Sequence, residues 1–63
     1  MLKVELAQLA ARVAKMFENK NLVSWGMTLD ETESLSLDDL YYLHSEYGLN
    51  MVKDNRGCLA FTR

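Results

Sequence analysis

The first eighteen residues have the hydrophobic periodicity of an amphipathic helix, which predicts a helix over residues 2–18. Apolar side chains recur there every three or four residues, the spacing that places them on one face. This first face consists of Leu2, Leu6, Leu9, Val13, Met16 and Phe17. A second, neighbouring face consists of smaller apolar side chains, namely Val4, Ala7, Ala11 and Ala14. Because so short a chain has little surface of its own to cover both faces, we expect the second face to contact another copy of the chain.

The hydrophobic period changes after this helix. From residue 22 to residue 29, apolar and polar or small residues alternate, which is typical of a half-buried strand. The apolar positions are Val23, Trp25, Met27 and Leu29. We interpret residues 30–35, which are polar and acidic, as a connection without regular structure.

The start and stop signals of a second helix are unusually complete. Ser36 followed three residues later by Asp39 is a capping box, and Gly48 follows the last helical position, Tyr47, as a C-terminal cap. We expect the apolar stripe of this helix to face the core. That stripe consists of Leu37, Leu40, Tyr41, His44 and Tyr47, with Leu43 at its edge.

The last fifteen residues predict a hairpin. Two short alternating segments flank the sequence Asp54-Asn55-Arg56-Gly57, in which a glycine at the fourth position suits a type I turn followed by a left-handed residue. The predicted order is therefore α-β-α-β-β, an α+β fold with two amphipathic helices against a short sheet, in one domain over residues 1–63. A mainly-α helical hairpin is the alternative if residues 22–29 and 49–63 are irregular.

Size and composition limit the class of protein. The chain has 63 residues, of which 49% are hydrophobic, with no proline and one cysteine. A domain of this size usually needs disulfides, a metal or oligomerisation for stability, and a single cysteine excludes an internal disulfide. We therefore expect a homodimer. No apolar run approaches the roughly 20 residues that span a bilayer, and no signal peptide precedes the first helix, so we expect a cytoplasmic protein.

No segment carries a catalytic, metal or cofactor signature, so we expect neither an enzyme nor a cofactor. His44 is interpreted as a core-edge histidine bonded to a tyrosine or a carbonyl, and Cys58 as a small buried strand residue. A nucleophile-base pair between the two is the distant alternative. The acidic segment after Asp30 fails the calcium-loop pattern, because its sixth and twelfth positions hold Leu35 and Tyr41 instead of glycine and glutamate.

The distribution of charge bears on the kind of partner. The formal net charge is −2, and residues 30–46 hold six acids and no lysine or arginine, which argues against general nucleic-acid binding. Tyr42 is predicted on the outer face of the second helix among acids, so Asp38, Tyr42 and Glu46 are the candidate contacts for a protein partner. The alternative is a small nucleic-acid-binding regulator that uses the C-terminal hairpin. Its basic residues are Lys53, Arg56 and Arg63.

Over its full length the chain resembles the small accessory early proteins of lambdoid phages, which are products of short reading frames in the recombination-to-excision region. The segments compared are MLKVELAQLAARVAKMFENK, LDDLYYLHSEYG and NRGCLAFTR. The resemblance is one of size and general character. It implies a cytoplasmic protein of an infected bacterium that influences host physiology or the lysis-lysogeny choice by binding, and it points to no particular functional residues.

Overall fold

Three helices and three strands follow one another along the chain in a computed structural model that describes residues 1–63. Their bounds are α1 Lys3–Met16, β1 Ser24–Gly26, α2 Leu29–Glu33, α3 Leu37–Tyr47, β2 Asn50–Lys53 and β3 Leu59–Thr62. The predicted α+β fold is confirmed, with α2 as an addition to the predicted order. The three strands form one sheet, so the helical hairpin is not the structure of this chain.

The sheet is antiparallel and has the strand order β1-β3-β2, so the last strand of the chain lies in the middle. Phe61 pairs with Trp25 of β1 on one side and with Met51 of β2 on the other. Residues paired across a sheet point to the same face, and this row points toward the helices. The Trp25 and Phe61 rings stack with centroids 5.9 Å apart.

One apolar core joins the sheet to the helices. Its three fully buried large side chains come from three different elements: Val13 from α1, Leu43 from α3 and Phe61 from β3. The other buried apolar residues are Leu6, Ala10, Met27, Leu35 and Leu59. The first face of α1 is thus the inward face, as predicted, although Leu2 at its start is exposed.

The helix α2 was missed in the sequence analysis, and it shortens the predicted strand over residues 22–29 to Ser24–Gly26. Its start is a capping box, in which the Glu31 backbone N–H donates to the Thr28 hydroxyl and the Glu31 carboxylate accepts the Thr28 N–H, each at 3.2 Å. The buried Thr32 hydroxyl donates to the Thr28 carbonyl and accepts the Leu59 N–H, which joins α2 to β3. Thr28 and Glu31 are spaced as a capping box, and this signal could have identified the helix.

Both ends of α3 are as predicted. The Asp39 backbone N–H donates to the Ser36 hydroxyl at 3.1 Å, and the Asp39 carboxylate accepts the Ser36 N–H at 2.9 Å. The amino group of Met1 lies 3.2 Å from the same carboxylate. These hydrogen bonds and the adjacent positive charge lower the pKa of Asp39. At the other end Gly48 has φ +67°, the left-handed conformation that ends a helix.

The prediction of which side of α3 faces the core is wrong. Leu37 and Tyr41 are 81% and 74% exposed, whereas Leu43, predicted at the edge, is fully buried. The predicted stripe is centred near His44 and the observed inward face near Leu43, a difference of one residue or about 100° of rotation. Apolar residues occur on several sides of this helix, so hydrophobicity alone favoured the wrong side.

The hairpin turn is confirmed. The Gly57 N–H donates to the Asp54 carbonyl at 3.0 Å, and Gly57 has φ +82°. One carboxylate oxygen of Asp54 accepts the backbone N–H groups of Arg56 and Cys58 at 2.8 and 3.0 Å. These bonds stabilise the charged form of Asp54 and lower its pKa. The turn therefore sets the register of β2 against β3 locally.

We expect Gly48→Ala to lower the free energy of unfolding and Gly26→Ala not to lower it. Neither glycine has an atom within 4 Å of an added Cβ, so crowding is absent at both. Only Gly48 has positive φ, and alanine there should cost about 1–2 kcal/mol. Gly26→Ala should be neutral or slightly stabilising, because alanine restricts the unfolded chain. Urea unfolding measures both; equal effects would contradict the cap assignment.

Candidate interaction surfaces

The outer face of α3 exposes the two most exposed large apolar side chains of the molecule, Leu37 and Tyr41. They lie four residues apart, which places them one above the other on the same side of the helix. Tyr41 lies about 160° around the helix axis from the fully buried Leu43, so it points away from the core. Asp38 is also exposed beside them. This face is apolar at Leu37 and Tyr41, with Asp38 on one side of them and the exposed His44 one turn further along the helix.

Tyr42 does not lie on the outer face, which corrects the sequence prediction. Its ring is half-buried and packs against the core. The Lys3 ammonium lies 5.6 Å above the ring, and the Tyr47 ring meets it edge-on at 6.0 Å. Burial and the neighbouring Tyr42 raise the pKa of Tyr47. Asp38 and Glu46, the other two candidate contacts, are exposed, so the three predicted residues do not share one outward face around a tyrosine anchor.

His44 is exposed and makes the kind of bond expected of it. Its Nδ1 lies 2.9 Å from the Leu49 carbonyl oxygen, beyond the end of α3. Because a carbonyl oxygen only accepts, Nδ1 carries the hydrogen in this bond. The bond holds the ring against the chain as it leaves the helix, so His44 helps to join α3 to β2.

His44 and Cys58 lie at opposite ends of the β2-β3 hairpin. His44 bonds to Leu49, just before the end of the ladder where Asn50 pairs with Thr62. Cys58 is half-buried and precedes β3 at the other end. Four residues of strand separate Cys58 from Thr62, on the order of 14 Å. The structure does not bring the two together as a nucleophile-base pair.

The side chain of Arg63 holds the end of the chain against the segment that follows α1. The guanidinium of Arg63 donates to the carbonyl oxygens of Phe17, Asn19 and Leu22 at 2.7–2.8 Å. It also lies 5.3 Å from the centre of the Phe17 ring. These carbonyls belong to the end of α1 and the segment that follows it, so Arg63 acts as a helix cap from a distant part of the chain. The basic residues of the hairpin that remain exposed and outside this network are Lys53 and Arg56.

The second face of α1 is largely open to solvent. Val4 is 60% exposed, and Ala11 and Ala14 are exposed, whereas Ala7 is half-buried. On the opposite flank, the Arg12 guanidinium lies 5.0 Å from the centre of the Trp25 ring. This flank of α1 thus contacts the sheet through Arg12, and no such contact is made by the face from Val4 to Ala14.

Two of the acids, Glu5 and Glu31, serve as helix caps. Glu31 accepts from Thr28, which is the main cause of its lowered pKa. Glu5 accepts the Leu2 N–H at 3.2 Å at the start of α1. No group of three His, Cys, Asp or Glu side chains is placed to hold a metal ion. None of the helices combines the length and apolar character needed to cross a membrane.

Comparison with known proteins identifies no relative. No protein family model matches the chain, and no curated protein or solved structure is significantly similar to it.

Replacement of Arg63 should loosen the segment after α1. Arg63→Ala removes three hydrogen bonds made by an exposed charged group, and we expect a loss of about 1 kcal/mol in unfolding free energy. Arg63→Lys should retain only part of this unfolding free energy, because an ammonium group lacks the planar set of N–H donors of a guanidinium. Hydrogen exchange of the Asn19 and Leu22 amides should accelerate. Arg56→Ala is the control, since only its backbone N–H is hydrogen-bonded; equal effects of the two alanine variants would contradict the capping role.

Proposed function

We propose that this protein is a non-enzymatic regulator that acts by binding another protein through the outer face of α3. The observation that supports the proposal is the exposure of Leu37 and Tyr41, one helical turn apart, on a helix with both ends capped. Tyrosine is enriched among the residues that dominate binding energy at interfaces. This face replaces the one proposed from sequence around Tyr42, while Asp38 belongs to both.

The contrast with the other tyrosines of α3 strengthens the proposal. Tyr42 packs against the core and Tyr47 packs against Tyr42, so the fold accounts for both rings. No intramolecular contact of this kind accounts for the Tyr41 ring, which is 74% exposed. Single exposed apolar residues are common on protein surfaces. Leu37 and Tyr41 instead lie in adjacent turns and form one contiguous apolar patch, which favours an interaction site.

The resemblance to accessory phage proteins suggests where this activity would take place. A regulator of that kind would be a cytoplasmic factor that influences host physiology or the lysis-lysogeny choice through a protein of the infected bacterium. The nucleic-acid alternative has less support, because Arg63 is held by three carbonyl oxygens and two exposed basic residues remain on the hairpin.

Tyr41→Ala and Tyr42→Ala should separate binding from folding. Tyr41→Ala should leave the free energy of unfolding within about 0.5 kcal/mol of the wild type and weaken partner binding by roughly 1–2 kcal/mol, about 5- to 30-fold. Tyr42→Ala should instead destabilise the fold, because it removes a ring packed on the core. Immobilised wild-type and variant chains are compared for capture from bacterial lysate, with unfolding measured in parallel. Capture that Tyr41→Ala leaves unchanged would count against this face.

We also propose that two copies associate through the second face of α1, because Val4, Ala11 and Ala14 are exposed there and are small enough for close helix contact. Sedimentation equilibrium at micromolar concentration should give a dimer mass for the wild type. Ala11→Glu should shift it to the monomer, because a buried carboxylate would be unpaired. Gln8→Glu, which adds the same charge to the polar flank of α1, should leave the dimer intact. A monomeric wild type at high concentration would refute the proposal.

A further inference from the structure

The outer face of α3 has a charge character that restricts the partner it can accept. Residues 30–46 contain six acids and no lysine or arginine. Asp38 is exposed next to Leu37 and Tyr41, and Asp30 and Glu33 are exposed on the neighbouring α2. The basic side chain of α3 itself is His44, which is exposed one turn after Tyr41, and Lys3 of α1 is engaged over the Tyr42 ring. The apolar pair therefore has Asp38 directly beside it, and Glu33 at the end of α2 precedes Leu37 by only four residues, so the charge around the start of α3 is negative.

The helix that carries this face is already formed in the unbound chain. Leu43 is fully buried in the core, and the pairing of Ser36 with Asp39 holds the first turn. Gly48 and the bond from His44 to Leu49 hold the last turn. A preformed helix loses little conformational entropy on binding, so its exposed side chains can act as fixed anchors.

We propose that the outer face of α3 binds a protein surface that is apolar at its centre and bordered by lysine or arginine side chains. Leu37 and Tyr41 enter the apolar centre, as anchors four residues apart do when a helix docks on an apolar surface. Asp38 faces the basic border, and the exposed acids of the preceding α2 add negative charge that steers the encounter and disfavours acidic partners. This inference rests on the proposed protein-binding function, and it adds the chemistry of the partner.

The test uses the full-length chain, labelled with ¹⁵N, and two synthetic helical peptides. Both peptides have the same leucine stripe; one is flanked by lysines and the other by glutamates. The lysine-flanked peptide should shift the amide resonances of residues 37–45, and its affinity should fall at least about 10-fold as salt rises from 50 to 500 mM, since exposed charges are screened. The glutamate-flanked peptide should bind at least about 10-fold more weakly.

Variants separate the apolar from the charged contribution. Leu37→Ala with Tyr41→Ala should weaken binding of the lysine-flanked peptide at least about 10-fold, and Asp38→Lys should weaken it and flatten its salt dependence. Val52→Ala is the matched control, because Val52 is an exposed apolar residue on β2. Binding that the double variant leaves intact, or resonance shifts confined to other elements, would overturn the inference.

The outcomes also distinguish this inference from the proposed function. If both peptides bind equally at Leu37 and Tyr41, the basic border is refuted while protein binding by this face stands. The same holds if neither peptide binds but capture from lysate still depends on Tyr41. If neither peptide binds and capture is independent of Tyr41, both proposals fail.

Discussion

The burial of Val13, Leu43 and Phe61 in one core is the constraint on which the rest of the structure depends. Each comes from a different element, and each is fully buried, so α1, α3 and the sheet must approach one another at the same place. Phe61 can take this position because β3 is the central strand and pairs on both sides. A chain of 63 residues has few other large side chains with which to build a core.

This constraint determines what the surface presents. Once Leu43 is directed into the core, Tyr41 must point outward, because the two positions are separated by about 160° around the helix. Leu37, four residues before Tyr41, lies on the same outward side of the helix. The acidic-apolar face of α3 is thus a geometric consequence of core packing together with the residues that the chain holds at these positions. No contact within the fold requires Leu37 or Tyr41 to be large and apolar, and this is the observation on which the proposed binding role depends.

Contacts between distant parts of the chain tie the ends and connections of this small domain to its core. Arg63 caps the segment after α1, the Thr32 hydroxyl joins α2 to β3, and the Met1 amino group meets Asp39 at the start of α3. Each satisfies backbone or charged groups that would otherwise be left to solvent at the edges of a thin core. Three of the seven basic side chains also lie over aromatic rings: Lys3, Arg12 and Arg63. These three basic side chains therefore contribute to packing, and the other four, Lys15, Lys20, Lys53 and Arg56, lie over no aromatic ring.

Local signals in the sequence were sufficient to predict α1, both ends of α3 and the hairpin turn. Caps, positive-φ glycines and periodicity depend only on neighbours a few residues away. The rotation of α3 was decided by tertiary structure, since apolar residues occupy several of its sides and only packing against α1 and β3 selects Leu43. The true exposure of Tyr41 and Tyr42, and hence the candidate site, depends on that selection. The role of Arg63 likewise required the tertiary structure, because its acceptor carbonyls lie more than forty residues earlier in the chain.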